Sequence, residues 1–205
     1  NQYTKVLAAD IPFVHRFLYD HDLSSCVRAS GRPRPELKRE NGGKYTTDVV
    51  IECDKGEQIR NSETFKPPLT VLSFDIENSI KTEKIYCISI YCRNAGGETV
   101  TEVIEGKERD VISAFEKRFC ELDPDVVTGY NIEGYDFPHI NKRARRLNMQ
   151  TLRIGRNRSE VKNVSGRFQR IAGRVVADAW WNVKREVKPK KESLGAVSKK
   201  LLGET

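Results

Sequence analysis

No apolar run in the 205 residues approaches the roughly 20 needed to cross a bilayer, and the first residues lack the basic, apolar and small-residue order of a secretory signal. The expected protein is therefore intracellular, with no membrane partner. Cysteine is scarce and has no pattern: Cys26, Cys53, Cys87, Cys92 and Cys120 are odd in number and include no Cys-x-x-Cys pair. That argues against a disulfide framework and against a structural zinc site, and leaves the thiols mostly as small buried hydrophobes. Extremes of composition are missing too. With 38% hydrophobic and 32% charged residues, the chain has enough apolar material for a real core. Its length allows one good-sized domain, or one with a fragment of another.

Charge is present in excess and is unevenly spread. From Lys142 onward there are 18 Lys+Arg against 5 Asp+Glu, a net of +13, while the residues before it hold 18 basic against 24 acidic, a net of −6. A basic part joined to an acidic one suits a polyanion on one face, although solvated basic surfaces produce the same count. Arg153, Arg156, Arg158, Lys162, Arg167, Arg170 and Arg174 crowd around Gly155 and Gly166. This stretch reads as a basic β-hairpin or ribbon that either contacts phosphates or is a solvated loop.

Leu72, Phe74 and Ile76 alternate with Ser73, Asp75 and Glu77, the period of a strand with one buried face. Asp75 and Glu77 then project from the same side, two strand steps apart, and both can reach one divalent cation. Two adjacent acids repel, and a hard cation such as Mg²⁺ or Mn²⁺ relieves the conflict; a strand that has reached solvent fits the same pattern.

The rest of the chain supplies an α/β frame for that strand. Asp10, Pro12 and the apolar residues after them predict a short capped helix, Gly and Pro between Ser30 and Gly43 a loop, and Tyr45 to Cys53 a strand. Ile85 to Tyr91 is nearly unbroken apolar sequence, expected for a strand covered on both faces. Ile112, Phe115 and Phe119 predict an amphipathic helix between Glu108 and Leu122, and short strands follow at 125–130 and 173–178. Pro138, with Phe137, Ile140, Ala144 and Leu147 at helical spacing, places Asp136 at a helix N-terminus, where the dipole favours the ionised form; a plain N-cap is the other reading. Asp178 reads as structural or as a neighbour of the site. A last helix is expected after Ser193, with Leu194, Val197 and Leu201 inward.

The motifs carrying these acids resemble those of the proofreading exonuclease domain of family B DNA polymerases, archaeal and eukaryotic delta-type. Phe74-Asp75-Ile76-Glu77 matches an Asp-x-Glu strand motif, and Asn131 with Tyr135-Asp136 matches Asn-x2-3-(Phe/Tyr)-Asp. The run from Asp123 to Ile132, Gly173-Arg174 and Leu202-Gly203-Glu204 also fit, and Ile11 to Asp22 resembles the segment preceding that domain. The resemblance implies a ribonuclease H-like mixed sheet flanked by helices, with a basic hairpin insertion, at 69–205. Residues 1–68 would be a small α+β fragment of the polymerase N-terminal domain.

It further implies hydrolysis of a DNA primer from its 3′ end with two divalent ions, Mg²⁺ or Mn²⁺, held by Asp75, Glu77 and Asp136. Asn131 and Tyr135 would position the terminal nucleotide, and Arg167 and Arg174 would contact phosphates. Partners would be single-stranded DNA, the remaining polymerase domains and a sliding clamp, in the cytoplasm or nucleoid of an archaeon or in a nucleus. The chain starts at Asn1 and stops as a helix ends, as expected of a piece of something longer. The family's third motif, Tyr-x3-Asp, would fall beyond Thr205, so weak metal binding and slow or absent nuclease action are expected. The alternative is an inactive module that holds DNA and supports the polymerase; a related exonuclease acting on RNA or small nucleotides is a further reading.

Overall fold

In the computed structural model, which describes residues 11–45, 47–53 and 59–203, the acidic strand forms as its alternation requires. Strand β5 spans Val71–Asn78, with Leu72, Phe74 and Ile76 buried and Asp75 and Glu77 exposed. The chain divides into two units, Asn1–Pro67 and Pro68–Thr205.

The first unit contains helix α1 (Phe13–Asp20) and short strands β1 (Val27–Ala29), β2 (Arg32–Pro33), β3 (Ile51–Glu52) and β4 (Ile59–Asn61). β1 pairs with β4 and β2 with β3, both antiparallel. None of its described residues is buried. The expected loop after Ser30 contains β2 and two 3-10 turns, whereas the strand expected from Tyr45 to Cys53 shrinks to Ile51–Glu52. Asp10, expected to cap α1, lies outside the described residues, as does Glu204.

The second unit is built on a five-stranded mixed sheet in the order β11-β8-β5-β6-β7, using β6 (Ile85–Arg93), β7 (Thr99–Glu105), β8 (Val126–Gly129) and β11 (Val175–Asp178). β5 runs antiparallel to β6 and parallel to β8, and β8 is parallel to β11. Helices flank the sheet: α2 (Glu108–Leu122), α3 (Phe137–Arg146), a short α4 (Ala179–Asn182) and α5 (Leu194–Leu202). A hairpin, β9 (Lys162–Val164) with β10 (Phe168–Arg170), lies between α3 and β11.

Phe74 links the layers. Its ring lies 5.0 Å from Phe115 of α2 and 5.0 Å from Phe137 of α3, so both helices cover the inward face of β5. The β6 run is not covered on both sides as its composition suggested: Tyr86 and Tyr91 are 52% and 47% exposed. On α5 only Val197 is buried; Leu194 and Leu201 remain 56% and 54% exposed, and Ser193 makes no side-chain cap bond.

The sheet brings two distant stretches together at the C-terminal ends of the parallel strands β5 and β8, the end at which open α/β sheets gather functional groups. Gly129, the last residue of β8, makes this approach possible. A Cβ there would lie 2.8 Å from the Phe74 carbonyl oxygen and 2.4 Å from Ile132 Cγ2. Asn131 then turns the chain in a left-handed conformation (φ 64°), which asparagine tolerates better than most residues, into a π-helical turn over Ile132–Asp136.

Candidate active site

Asp136 ends that π turn and is almost fully buried. It does not cap α3. Its Oδ1 instead accepts the backbone N–H of Ile76 at 3.2 Å, which fixes the carboxyl on β5 between Asp75 and Glu77. Burial pushes its pKa from 3.8 up to about 7, the charge on Asp75 adds to the rise, and the Ile76 N–H opposes it. The dipole-stabilised, ionised Asp136 expected from its helix position is therefore corrected. At a helix start closed off from water, loss of hydration outweighs the dipole.

Asp75 is raised in turn, first by partial burial and then by the Glu77 charge. No basic side chain is among the groups that set either shift. Asp75 and Asp136 line one cleft of about 360 Å³ together with Tyr130, Asn131, Tyr135 and Trp180, whereas Glu77 is not among its lining residues. Among the described residues, no three His, Cys, Asp or Glu side chains stand close enough together to hold a metal ion. The donor chemistry nonetheless suits a hard divalent cation: mutually repelling carboxylate oxygens, one of them buried, with no basic side chain to neutralise them.

The side chains around the acids are held in place. The Tyr135 hydroxyl donates to Asn78 Oδ1 at 2.9 Å, and its ring stacks on His139 with centroids 5.3 Å apart, leaving the tyrosine partly exposed at the cleft. His139 is itself tied by Nε2 to the Glu83 carbonyl at 2.8 Å. The Tyr130 hydroxyl donates to the Glu192 carbonyl, drawing the segment before α5 against the cleft. Asp178 is buried and accepts three backbone N–H groups, from Asn131 at 2.8 Å and from Glu133 and Trp180 at 2.9 Å. It fastens β11 to the turn carrying Asn131 and Asp136.

The two candidate phosphate-binding arginines part company. Arg167 is exposed in the β9–β10 turn. The Arg174 side chain is 2% exposed, donates to Asp123 Oδ1 and the Pro124 carbonyl at 2.6 Å and to the Ile154 carbonyl at 2.9 Å, and its guanidinium lies over the Phe119 ring. It braces the fold and has no face free for a phosphate, which corrects the assignment made for it.

Sequence reasoning missed Glu133, Trp180 and Trp181. Glu133 is buried; its Oε1 accepts the Gln169 N–H at 2.7 Å and its carbonyl accepts Gln169 Nε2 at 3.1 Å, joining the π turn to the hairpin. Nothing local to Glu133 signals this. The adjacent tryptophans, the only two in the chain, were a visible signal.

The sequence profile described as DNA polymerase family B, exonuclease domain matches residues 4–197. The DNA polymerase of Archaeoglobus fulgidus is 34% identical over 88% of this chain, and the DNA polymerase delta catalytic subunit of Plasmodium falciparum is 26% identical over 97% of it. The chain spans 22% of the length of each. Among solved structures, the family B DNA polymerase of Pyrobaculum calidifontis superposes with a TM-score of 0.66 at 25% identity, over 94% of this chain and 25% of that one. A match over nearly the whole chain, with like relatives and a like fold, means that the chain belongs to the DNA polymerase family B exonuclease domain family.

Proposed function

We propose that this chain is the editing portion of a DNA-directed DNA polymerase, with a ribonuclease H-like fold, removing mispaired nucleotides from the 3′ end of a primer strand. The observation that carries the reading is the Asp136 carboxyl bonded to the N–H of Ile76, between Asp75 and Glu77 on the same strand. Asp75, Glu77 and Asp136 would hold two divalent ions, which supply charge to the entering and leaving oxygens of an in-line displacement. The remaining side chains receive the DNA. Tyr135 offers a partly exposed aromatic face beside the acids, suited to any terminal base because every base has a stackable face. Asn131, held by Asp178, offers its side-chain amide at the edge of the same cleft.

In this reading residues 1–68 belong to the polymerase N-terminal domain and 69–205 to the exonuclease domain, working inside the cell with the other polymerase domains and a sliding clamp. Nuclease action of the 205-residue chain is expected to be slow, because three carboxylates are not gathered at metal-binding distance among the described residues. The same observation favours a second reading, a module that holds DNA without cutting it. A 3′-labelled single strand incubated with Mn²⁺ decides between them. Slow shortening from the 3′ end, abolished by Asp75→Ala, supports the nuclease; DNA binding with no shortening supports the module; shortening unaffected by Asp75→Ala removes Asp75 from the chemistry.

A further inference from the structure

Tyr135 reaches the protein surface, yet the fold holds it at both ends. Its hydroxyl donates to Oδ1 of Asn78, the last residue of β5, at 2.9 Å. Its ring lies 19° from parallel with the imidazole of His139, one helical turn further on, with centroids 5.3 Å apart. His139 is 8% exposed, and its Nε2 lies 2.8 Å from the Glu83 carbonyl oxygen. A carbonyl only accepts, so the proton sits on Nε2, and turning the imidazole over would break the bond.

Glu83 is fixed so as to present that carbonyl. Its backbone is left-handed (φ 61°), an uncommon conformation for glutamate, and its N–H donates to the Ser79 carbonyl at 2.8 Å. The Ser79 N–H in turn donates to the Lys84 carbonyl at 2.9 Å, closing the turn between β5 and β6. The Glu83 carboxyl accepts from Lys142 at 2.6 Å and from Arg146, both on α3, the helix that carries His139. The turn that starts beside Asn78 therefore supports Tyr135 twice, through its hydroxyl and through the imidazole behind it. Tyr135 lines the cleft of Asp75 and Asp136, whereas His139 is not among the lining residues. With one face on the imidazole, the tyrosine has a single face left for a base.

We propose that His139 is a positioning residue: it backs the Tyr135 ring, so that the terminal base completes an imidazole–phenol–base stack, and the Glu83 turn holds the imidazole in place. This role rests on the reading of Tyr135 as the platform for the terminal base, and the two fail differently. Two 5′-labelled tetrathymidylates, one of them abasic at its 3′-terminal residue, are titrated by fluorescence anisotropy against the 205-residue chain in EDTA. Both carry the same phosphates, so the ratio of their affinities isolates the terminal base. The unaltered protein should favour the complete strand by about fivefold or more.

His139→Leu, which keeps bulk and removes the flat face, should lower that ratio by about threefold and leave the affinity for the abasic strand unchanged. His139→Phe should keep most of the ratio. Tyr135→Leu should bring it near one, and His139→Leu added to Tyr135→Leu should change it no further, as expected of a residue that acts through another. Lys142→Ala with Arg146→Ala frees the turn from α3 at the surface and should lower the ratio by about twofold with His139 intact, a test that stands even where His139→Leu does not fold. Equal ratios in His139→Leu and His139→Phe, equal loss of both affinities in His139→Leu, or a ratio unchanged when the turn is freed would each overturn the positioning role. A ratio near one in the unaltered protein, or one that survives Tyr135→Leu, overturns the reading of Tyr135 and this role with it. Failure of the nuclease reading shows elsewhere, as Mn²⁺ binding or 3′ shortening that Asp75→Ala leaves intact.

Discussion

The Asp136 carboxyl must ionise where water is scarce and Asp75 is already charged, with only the N–H groups of Ile76 and of its own residue to compensate. In the unfolded chain it titrates near 3.8, and in the folded chain near 7, so between those values the native state holds an extra proton. That stability is fully present below the lower value and is lost as pH rises through the higher one. In EDTA, the melting temperature should therefore fall between about pH 4 and pH 8. Asp136→Asn should flatten the fall and melt higher than the unaltered protein at the alkaline end. The slope should shrink rather than vanish, because burial raises Asp75 and Glu133 as well. At neutral pH, Mn²⁺ should raise the melting temperature of the unaltered protein more than that of Asp136→Asn, since a ligand stabilises only the state that binds it. Equal shifts in the two proteins would remove Asp136 from the metal site.

At the scale of elements, two contacts hold the acidic strand in register with what packs on it. Gly129 lets β8 close on β5 where any Cβ would strike the Phe74 carbonyl. Gly129→Ala should destabilise the protein by about 1–3 kcal/mol, measured by urea unfolding, and should weaken Mn²⁺ binding by shifting Asn131 and Asp136. The second contact joins α2 to α3 through Arg143, which grips Glu108 with two bonds of 2.6 and 2.7 Å, while Glu108 also accepts the N–H of Ile85 at the start of β6. Both side chains are largely buried, so Arg143→Met leaves a carboxylate uncompensated and should cost roughly 3–5 kcal/mol in the same measurement. The extent of α2, Glu108 to Leu122, follows from its local spacing alone and matches the observed helix. The Glu108–Arg143 clamp does not, because its partners are 35 residues apart and nothing in either neighbourhood distinguishes them from surface charges.

For the whole molecule, the distribution of buried residues decides what folds. The apolar core lies entirely in the second unit, from Leu72 to Ile171 with Val197, and none of the first unit's described residues is buried. Residues 68–205 alone should therefore unfold in a single cooperative thermal transition followed by circular dichroism, and residues 1–67 alone should show none. A non-cooperative melt of 68–205 would mean that its core needs the preceding residues.

The sequence by itself determined the strand with Asp75 and Glu77 on its open face, the helix from Glu108 to Leu122 and the place of Asp136 at the start of the helix marked by Pro138. Each depends on a period or a turn residue readable within a few positions. Tertiary structure alone decided that burial raises the Asp136 pKa, that Arg174 is an internal brace, and that Trp180 lines the cleft of Asp75 and Asp136 while Trp181 lines only the cleft beside it. Hydration, ion pairing and the sharing of a cavity are set by residues tens of positions away, and no local pattern encodes which of those neighbours arrive.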